Sequence, residues 1–440
     1  MSMKFLKRLG LVVLLVLVLA AWVMLPWFGA LGLAALLALW MLLTRRGAQA
    51  RSVTGVGVST LPQRLGSSAV IVVGIAGVVG VLVALLAMAE GYAETLRKSG
   101  SEDTAIVLRG ASAAEVASVL SREEITQIAQ APGVAKSAKG EPLVSAETVV
   151  AANLPVKGTT TDEEGSVQVR GVGDEAFAVR PQVRIVSGRK FQPGLKELIV
   201  GQGAARQFEG LEPGKQIRLG SQQWIVTGIF ASGDSMESEL WADAPVVAET
   251  YRRGASRNSV TVKLTDAAAF KEFKAALDAN PQLKVDATTT LAFFAKQSEQ
   301  MTKILRVIGI VVGTIMAIGA VFGALNTMFA AVATRAREIA TLRAIGFPGL
   351  PVVVAVMLET MLLAAIGGVI GGAIAYLLFN GHAASTMAAG SVGKLSFELR
   401  VSGQLLWEGL KWALAIGFIG GLFPAVRAAS VPVTTALREL

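Results

Sequence analysis

Long apolar runs separated by polar segments set the pattern of this chain. Four of the runs are as long as a helix that crosses the hydrocarbon core of a bilayer, which needs about 20 mostly apolar residues. They cover 68–90, 303–332, 349–380 and 405–426. This pattern predicts an α-helical membrane protein with four core transmembrane helices.

A further apolar stretch, 1–46, precedes these four and is interrupted at Pro26 and Gly29. Proline breaks a helix and glycine permits a tight turn, so the pattern predicts an N-terminal hydrophobic hairpin of two short helices. A basic start followed by an apolar run is also typical of a signal peptide. Because a second apolar run follows at once and ends at Arg45 and Arg46, a retained hairpin is favoured.

Residues 47–67 connect this hairpin to the first core span on the cytoplasmic side. Their apolar positions are spaced among Gly, Ser, Thr, Gln and Arg. Two interpretations stay open. One is an interfacial helix that begins near Thr60, with Pro62 in its first turn, and the other is a plain linker.

The polar stretch 91–302 carries the signals of a folded α+β domain. Strand and helix signals alternate at both of its ends, and turn-rich, β-branched sequence fills the middle. The sequence therefore predicts a mixed α/β portion, made of 91–164 and 251–302, around a β-rich insert at 165–250. No carboxylate pair, nucleotide-binding loop or metal-ligand cluster is recognisable in it.

The net charge of +9 is unevenly distributed along the chain. Residues 91–302 carry 24 Lys and Arg against 26 Asp and Glu, whereas the rest carries 17 against 6. A basic excess beside apolar segments follows the positive-inside rule and argues against a nucleic-acid-binding face. One topology satisfies the rule: both termini and the tail 427–440 lie inside, and 91–302 and the loop 381–404 lie outside.

The composition argues against an ordinary soluble enzyme and against several kinds of site. Hydrophobic residues make up 53% of the chain, and the mean hydropathy is +0.57. There is no cysteine and one histidine, His382, which argues against disulfides, zinc–thiolate sites and Ser-His-Asp triads. No Gly-x-x-x-x-Gly-Lys-Ser/Thr loop is present in the sequence. We therefore predict no catalytic residue, no cofactor and no metal site.

The most informative polar segment is 333–348, which lies between two predicted spans. It predicts a short helix with Ile339 and Leu342 on one side. Gly346 can adopt the left-handed cap of that helix, and Pro348 ends it. Such an amphipathic helix can dock into a groove on a soluble partner. The alternative is a positively charged loop that is helical without binding anything.

Two kinds of residue inside the predicted spans also lead to expectations. Glu359 lies within a span, so its carboxyl must pair, accept hydrogen bonds or be protonated. Small residues at i and i+4 let helices approach closely. Contacts between helices of the same chain are the favoured interpretation of such spacing, and a dimer contact is the alternative. The glycines expected at such packing faces are Gly367, Gly368, Gly371, Gly372, Gly417 and Gly421.

Three stretches of sequence carry a resemblance to a known family: 326–328, 335–346 and 420–429. On these residues the chain resembles the MacB/FtsX-type permeases of ABC transporters, the type VII or mechanotransmission type. Short glycine-containing motifs of the outer segment fall in the order of that family. The resemblance covers about 60–440, and the N-terminal hairpin departs from the family pattern.

The resemblance implies a permease subunit whose coupling helix binds a separate ATPase subunit. Further implied partners are a second permease copy or paralogue that completes a dimer, a periplasmic adaptor protein in some complexes, and membrane lipid; nucleic acid is not expected. The implied location is the bacterial inner membrane, crossed several times, with both termini cytoplasmic. The residues expected to contact the ATPase are Arg335, Arg337, Glu338, Ile339, Leu342, Arg343 and Gly346.

Export or efflux driven by the separate ATPase is the function that this resemblance implies, without enzymatic activity in the chain itself. Two alternatives within the same architecture are lipoprotein release and the non-transporting regulation of an extracytoplasmic cell-wall hydrolase. A membrane sensor with no ATPase is a third. The substrate itself cannot be read from the sequence.

Overall fold

The computed structural model describes residue 18 and residues 21–22, 25–158, 163–387 and 393–432. The chain divides into two compact units, which we call the helical unit and the sheet unit. The helical unit comprises Met1–Ala87, Leu305–Asn380 and Arg400–Leu440. The sheet unit comprises Met88–Ile304 and Gly381–Leu399.

Twelve α-helices lie in the part of the chain that is described from Pro26 onwards. In chain order they are α1 (Trp27–Leu43), α2 (Arg45–Ser59), α3 (Leu65–Lys98), α4 (Arg122–Ala129), α5 (Glu175–Val179), α6 (Gln202–Gln207), α7 (Ala244–Thr250), α8 (Ala269–Asp278), α9 (Thr290–Thr334), α10 (Ala336–Ala344), α11 (Gly349–Phe379) and α12 (Gly403–Ser430). Four of them are long and apolar enough to cross a membrane: α3 from Ser68, α9, α11 and α12. The predicted fold class, with four core spans and a large mixed α/β domain, is confirmed.

Two of the spanning helices are longer than the apolar runs that predicted them. Helix α3 continues past residue 90 to Lys98, and α9 begins at Thr290. Beyond the apolar runs these helices are amphipathic: Tyr92, Leu96 and Phe294 are buried in one hydrophobic cluster of the sheet unit. Hydropathy marks where a membrane span ends, but the helix continues because an apolar face remains to be buried.

In the N-terminal region the described helix begins at the predicted break, and a second helix that was not predicted follows it. Helix α1 starts directly after Pro26, and α2 starts at Arg45 with its axis bent by 103° from that of α1. The bend occurs at Thr44, whose extended backbone breaks the helix and whose hydroxyl accepts a hydrogen bond from the Gly47 amide at 2.9 Å. Most of the first helix of the predicted hairpin lies outside the described residues.

The connection 47–67 is mostly helical rather than a plain linker. Helix α2 fills its first part, and a 3-10 turn with Pro62 in its first turn follows at Leu61–Arg64. At Thr60, where one of the two open interpretations begins an interfacial helix, α2 has ended and the 3-10 turn begins, and this turn leads directly into α3. Proline at this place cannot donate a backbone hydrogen bond, so it suits the short turn between α2 and α3.

The strands of the sheet unit form one mixed sheet and a separate hairpin. In chain order the strands are β1 (Thr104–Arg109), β2 (Val144–Pro155), β3 (Glu164–Val172), β4 (Arg184–Gly188), β5 (Glu197–Gly201), β6 (Gln216–Leu219), β7 (Gln222–Ala231), β8 (Glu239–Asp243), β9 (Ser259–Lys263), β10 (Val285–Thr289), β11 (Ala383–Met387) and β12 (Lys394–Glu398). The order in the main sheet is β10-β1-β9-β2-β3-β8-β5-β7-β4, with β6 beside β7. The pairs β3–β8 and β5–β7 are parallel, and the others are antiparallel.

Strand β2 joins the two portions that the sequence predicted as separate. Its first residues, from Val144 to Glu147, pair with β9, and its later residues, from Thr148 onwards, pair with β3. The mixed portion and the β-rich insert are therefore halves of a continuous sheet, and the insert also contains the short helices α5, α6 and α7. Twelve residues make β2 long enough to take part in both halves.

The segment predicted as the outer loop 381–404 contains the antiparallel hairpin of β11 and β12. Leu395 and Phe397 alternate along β12 and are buried, and the Phe397 ring packs edge-on against Tyr92 with centroids 5.6 Å apart. Alternating burial of this kind holds a strand against a core. The hairpin is thus an integral part of the sheet unit.

Candidate coupling helix and buried charges

Helix α10 is a short, well-terminated helix between two membrane spans. Its C-terminal end has the two backbone hydrogen bonds of a Schellman motif: the Gly346 amide donates to the Arg343 carbonyl at 3.2 Å, and the Phe347 amide to the Leu342 carbonyl at 3.1 Å. Gly346 has a φ of +104°, which glycine adopts at low cost. Pro348 then forms the N-cap of α11. The local sequence therefore determines where α10 ends.

The two faces of α10 have different surroundings. Ile339 is only 7% exposed and packs with Val352 of α11 and Ala428 of α12. The opposite face and the C-cap are exposed, and their residues are Arg337, Glu338, Thr341, Ala344 and Ile345. Leu342 and Arg343 are half-buried, and Arg343 donates a hydrogen bond to the Val431 carbonyl.

This arrangement corrects one expectation about the docking face. Ile339 was expected to be an anchor for the partner, but its side chain contributes to the core of its own chain. Periodicity alone identifies which side of a helix is apolar, and it does not tell whether the same chain or another one covers that side. The large apolar residue that α10 presents to solvent is Ile345, which is 69% exposed.

Arg335, at the N-cap of α10, forms an ion pair with Glu359 of α11 at 2.9 Å. Glu359 is only 4% exposed, and a second carboxylate, that of Glu338, lies 3.4 Å from Arg335. A Cβ added at Gly57 of α2 would lie 3.0 Å from the Glu359 carboxylate, so α2 also closes over the pair. The pair accounts for the carboxylate inside a span, because a buried charge needs a partner of opposite sign.

Two glycine faces of α11 pack against two different helices of the same chain. Gly367 and Gly371 face α3: a Cβ added at Gly367 would lie 2.8 Å from the Val72 carbonyl oxygen, and one at Gly371 would overlap the Ala76 carbonyl. The absence of side chains lets the two backbones come into contact.

The other face of α11 packs against α12. A Cβ added at Gly368 would lie 2.8 Å from the Ala413 methyl group, and one at Gly372 would lie 3.1 Å from the end of the Leu406 side chain. From α12, Gly417 and Gly421 approach Ala364 and Thr360 of α11. All six glycines singled out in the sequence thus lie at contacts between helices of this chain.

The sheet unit contains a buried cluster of charges that no motif in the sequence indicates. Arg170 on β3 is 2% exposed and binds three carboxylates: Glu147 on β2 at 2.6 Å, Glu239 on β8 at 2.7 Å and Glu115 at 2.9 Å. Arg180 lies on the other side of Glu147 and also donates to the Thr261 hydroxyl. These groups come from separate elements, so no local spacing motif reveals them.

Electrostatics within this cluster favours the charged forms of Glu147 and Arg170. Burial alone would raise the pKa of the Glu147 carboxyl, but the charges of Arg180 and Arg170 lower it below its usual value. Burial likewise opposes the charged form of Arg170, whose pKa is nevertheless raised by Glu115, Glu239 and Glu147. The opposite charges compensate one another, so removing any one of them would leave a buried charge without its partner.

A nearby carboxyl behaves in the opposite way. Burial raises the pKa of Asp234, although Ser232 and the Met236 amide donate hydrogen bonds to it. Over the described residues, no group of three or more His, Asp and Glu side chains is arranged to hold a metal ion.

Two family models match the chain over most of its length. The MacB-like periplasmic core domain matches residues 68–280, and the FtsX-like permease C-terminal region matches residues 310–433. The first spans α3 and most of the sheet unit, and the second spans α10, α11, α12 and most of α9.

Two individual relatives match about two thirds of the chain. The ABC transporter permease YknZ of Bacillus subtilis strain 168 is 23% identical over 307 residues, which cover 66% of this chain and 75% of YknZ. The macrolide export ATP-binding/permease protein MacB of Neisseria meningitidis serogroup A is 24% identical over 332 residues, 68% of this chain and 48% of MacB. The chain therefore spans about half the length of the MacB protein that it matches.

Solved structures of two extracytoplasmic domains also match. The extracellular domain of the YknZ transporter from Gram-positive bacteria has 18% identity and a TM-score of 0.32, and it covers 42% of this chain and all of that domain. The periplasmic region of MacB from Actinobacillus actinomycetemcomitans has 16% identity and a TM-score of 0.34, covering 47% of this chain and 96% of that region. From the two family matches, the chain belongs to the MacB/FtsX-like permeases of ABC transporters.

Proposed function

We propose that the chain is the transmembrane subunit of an ABC transporter complex and couples ATP hydrolysis in a separate ATPase subunit to movement of the sheet unit. The observation that carries this proposal is helix α10, a rigidly terminated helix between two spans with one face packed on its own chain and the other face exposed. An exposed helix face of this kind is suited to a groove on a partner.

The exposed face of α10 supplies the docking surface. Arg337, Glu338 and Thr341 provide polar contacts, and Ile345 provides an apolar anchor beside the Gly346 cap. Burying an aliphatic side chain of this size stabilises an interface by about 1.5–3 kcal/mol. We expect Ile345, rather than Ile339, to enter the groove of the ATPase.

The buried face of α10 supplies the route by which motion is transmitted. Ile339 contacts α11 and α12, and Arg335 is held by Glu359 of α11. A displacement of α10 therefore acts directly on two spans. Two other spanning helices, α3 and α9, contribute residues to both compact units, so helix movement reaches the sheet unit through continuous backbone.

The remaining parts of the proposal follow the family. The complex contains two permease copies or paralogues, lies in the bacterial inner membrane and keeps both termini in the cytoplasm. Export is the proposed direction, since the MacB relative is named for macrolide export. Many of the large apolar side chains on α9 are exposed, which fits a surface that lipid or a second permease covers.

The proposal is tested by the association of the ATPase with variants of the exposed face. Ile345→Asp should reduce co-purification of the ATPase about tenfold or more, because an apolar anchor is replaced by a charge. Val186→Asp is the matched control, since Val186 is similarly exposed but lies on β4 of the sheet unit. If Ile345→Asp retains the ATPase as well as the control does, α10 is not the docking helix.

A further inference from the structure

A cavity of about 190 Å³ lies on the buried side of α10, away from the face proposed for the ATPase. Helix α10 turns Ala336, Ile339, Ala340 and Arg343 towards this cavity, a spacing that places all four on one side of the helix. Phe329 of α9 lines it as well. The cavity is thus enclosed by the ends of membrane spans and by α10.

The charges at the cavity are of one sign. Arg343 of α10 and Arg427 of α12 line it, and among the described residues no acidic side chain does. Arg343 uses one guanidinium nitrogen to bind the Val431 carbonyl, which leaves further N–H donors. The carboxylate of Glu338 is directed elsewhere, since it contacts Arg335. An anionic group at the mouth of the cavity would therefore meet two cations.

Apolar surface continues from the cavity along the spans. Phe329 is 38% exposed and lies more than one helical turn before the end of α9, so the cavity extends beside the last turns of that span. Phe423 is 48% exposed and lies one turn before Arg427 on the same side of α12. The surface thus combines an apolar track within the spans with two guanidinium groups at its end.

We propose that this cavity is a binding site for an anionic phospholipid, whose phosphate lies between Arg343 and Arg427 and whose acyl chain follows Phe329 and Phe423. The surface charge complements the headgroup, and the position of Phe329 within a spanning helix favours a lipid over a soluble protein. Basic pockets between membrane helices recognise such headgroups in this way. A lipid bound here contacts the buried side of α10 and leaves the exposed face of α10 free to bind the ATPase.

The experiment compares the binding of phosphatidylglycerol and phosphatidylcholine to the purified full-length chain by native mass spectrometry. Each arginine near a membrane surface contributes about a fivefold preference for anionic lipid. We expect the wild type to prefer phosphatidylglycerol and Arg427→Gln to lose about fivefold of that preference. Arg427→Lys should retain the preference, which separates loss of charge from loss of fold. Arg337→Gln is the matched control, since Arg337 lies on the exposed face of α10.

Equal binding of the two lipids by the wild type would overturn the proposal. An equal loss in Arg427→Gln and in Arg337→Gln would also overturn it, because it would show only general attraction to a basic surface. A third overturning result is that Arg427→Gln keeps its lipid preference and loses the ATPase instead. That result would assign the cavity to a protein interface.

Discussion

Gly346 shows how one residue determines the end of helix α10. A Cβ at this position would meet no atom within 4 Å, so space is not what excludes other residues. The backbone is the constraint, because a φ of +104° is strained for any residue with a Cβ and most for a β-branched one. The cost of such strain is about 1–3 kcal/mol.

Gly346→Val should therefore loosen the end of α10 and weaken coupling without disturbing membrane insertion. We expect faster hydrogen exchange at the amides of Gly346 and Phe347, whose hydrogen bonds close the Schellman motif. Gly55→Val serves as the control, since Gly55 lies in α2 with open space around it and no positive φ. If these amides exchange at the wild-type rate in Gly346→Val, the positive φ of Gly346 is not what stabilises the end of α10.

Glu147 makes the stability of the sheet unit depend on pH. Its folded-state pKa is depressed, so the stability that it contributes is present above its unfolded pKa, about 4.3, and is lost as the pH falls through the depressed value. Glu147→Gln should lower the free energy of unfolding at pH 7 by about 3–5 kcal/mol, since Arg170 and Arg180 lose a buried counter-charge.

The difference between Glu147→Gln and the wild type should shrink as the pH falls below about 4.3, because the wild-type carboxyl becomes protonated too. Thermal unfolding measured between pH 7 and pH 3 tests both expectations. Glu249→Gln is the control, since Glu249 is exposed and its substitution should change little at any pH. If the difference in stability between Glu147→Gln and the wild type stays constant with pH, the charge of Glu147 is not the cause of the destabilisation.

At the scale of elements, the packing of α11 distinguishes two adjacent glycines. Gly371→Ala should destabilise the helical unit by about 1–3 kcal/mol, because the new methyl group overlaps the Ala76 carbonyl and backbone cannot move aside cheaply. Gly372→Ala should be tolerated, since it meets only the flexible end of Leu406 at 3.1 Å. Unfolding temperatures in detergent measure the difference, and equal values for the two variants would refute the close contact of α11 with α3.

The elements that local sequence determines were predictable. The end of α10 follows from Gly346 and Pro348, and the apolar runs locate the four spans. Features that depend on distant residues were not predictable. The Arg170 cluster and the burial of Ile339 by its own chain require knowledge of which elements become neighbours, and spacing along the sequence does not contain it.

At the scale of the whole molecule, the chain is a multi-pass membrane protein with a sheet unit inserted after its first core span. The charge distribution predicts an orientation in which the basic connections lie in the cytoplasm. The natural absence of cysteine makes this testable with single cysteines. Ser221→Cys in the sheet unit should react with a membrane-impermeant maleimide in intact cells, and Thr341→Cys on the exposed face of α10 should react only after permeabilisation. Labelling of Thr341→Cys in intact cells would reverse the topology.

The pairing of β1 with β10 has a consequence for biosynthesis. Ala105 near the start of the sheet unit is opposite Thr289 near its end, and β9 on the other side of β1 is also late in the chain. Strand β1 therefore stays unpaired while the ribosome synthesises the residues between it and its two neighbours. Such long-range pairing favours slow folding, and an unpaired strand edge is prone to aggregation. The half of the sheet formed by β10, β1 and β9 closes only when synthesis has reached the start of α9. Completion of the sheet is thus followed directly by synthesis of the second core span. A ribosome that stalls before residue 285 leaves a chain that lacks both β10 and this span.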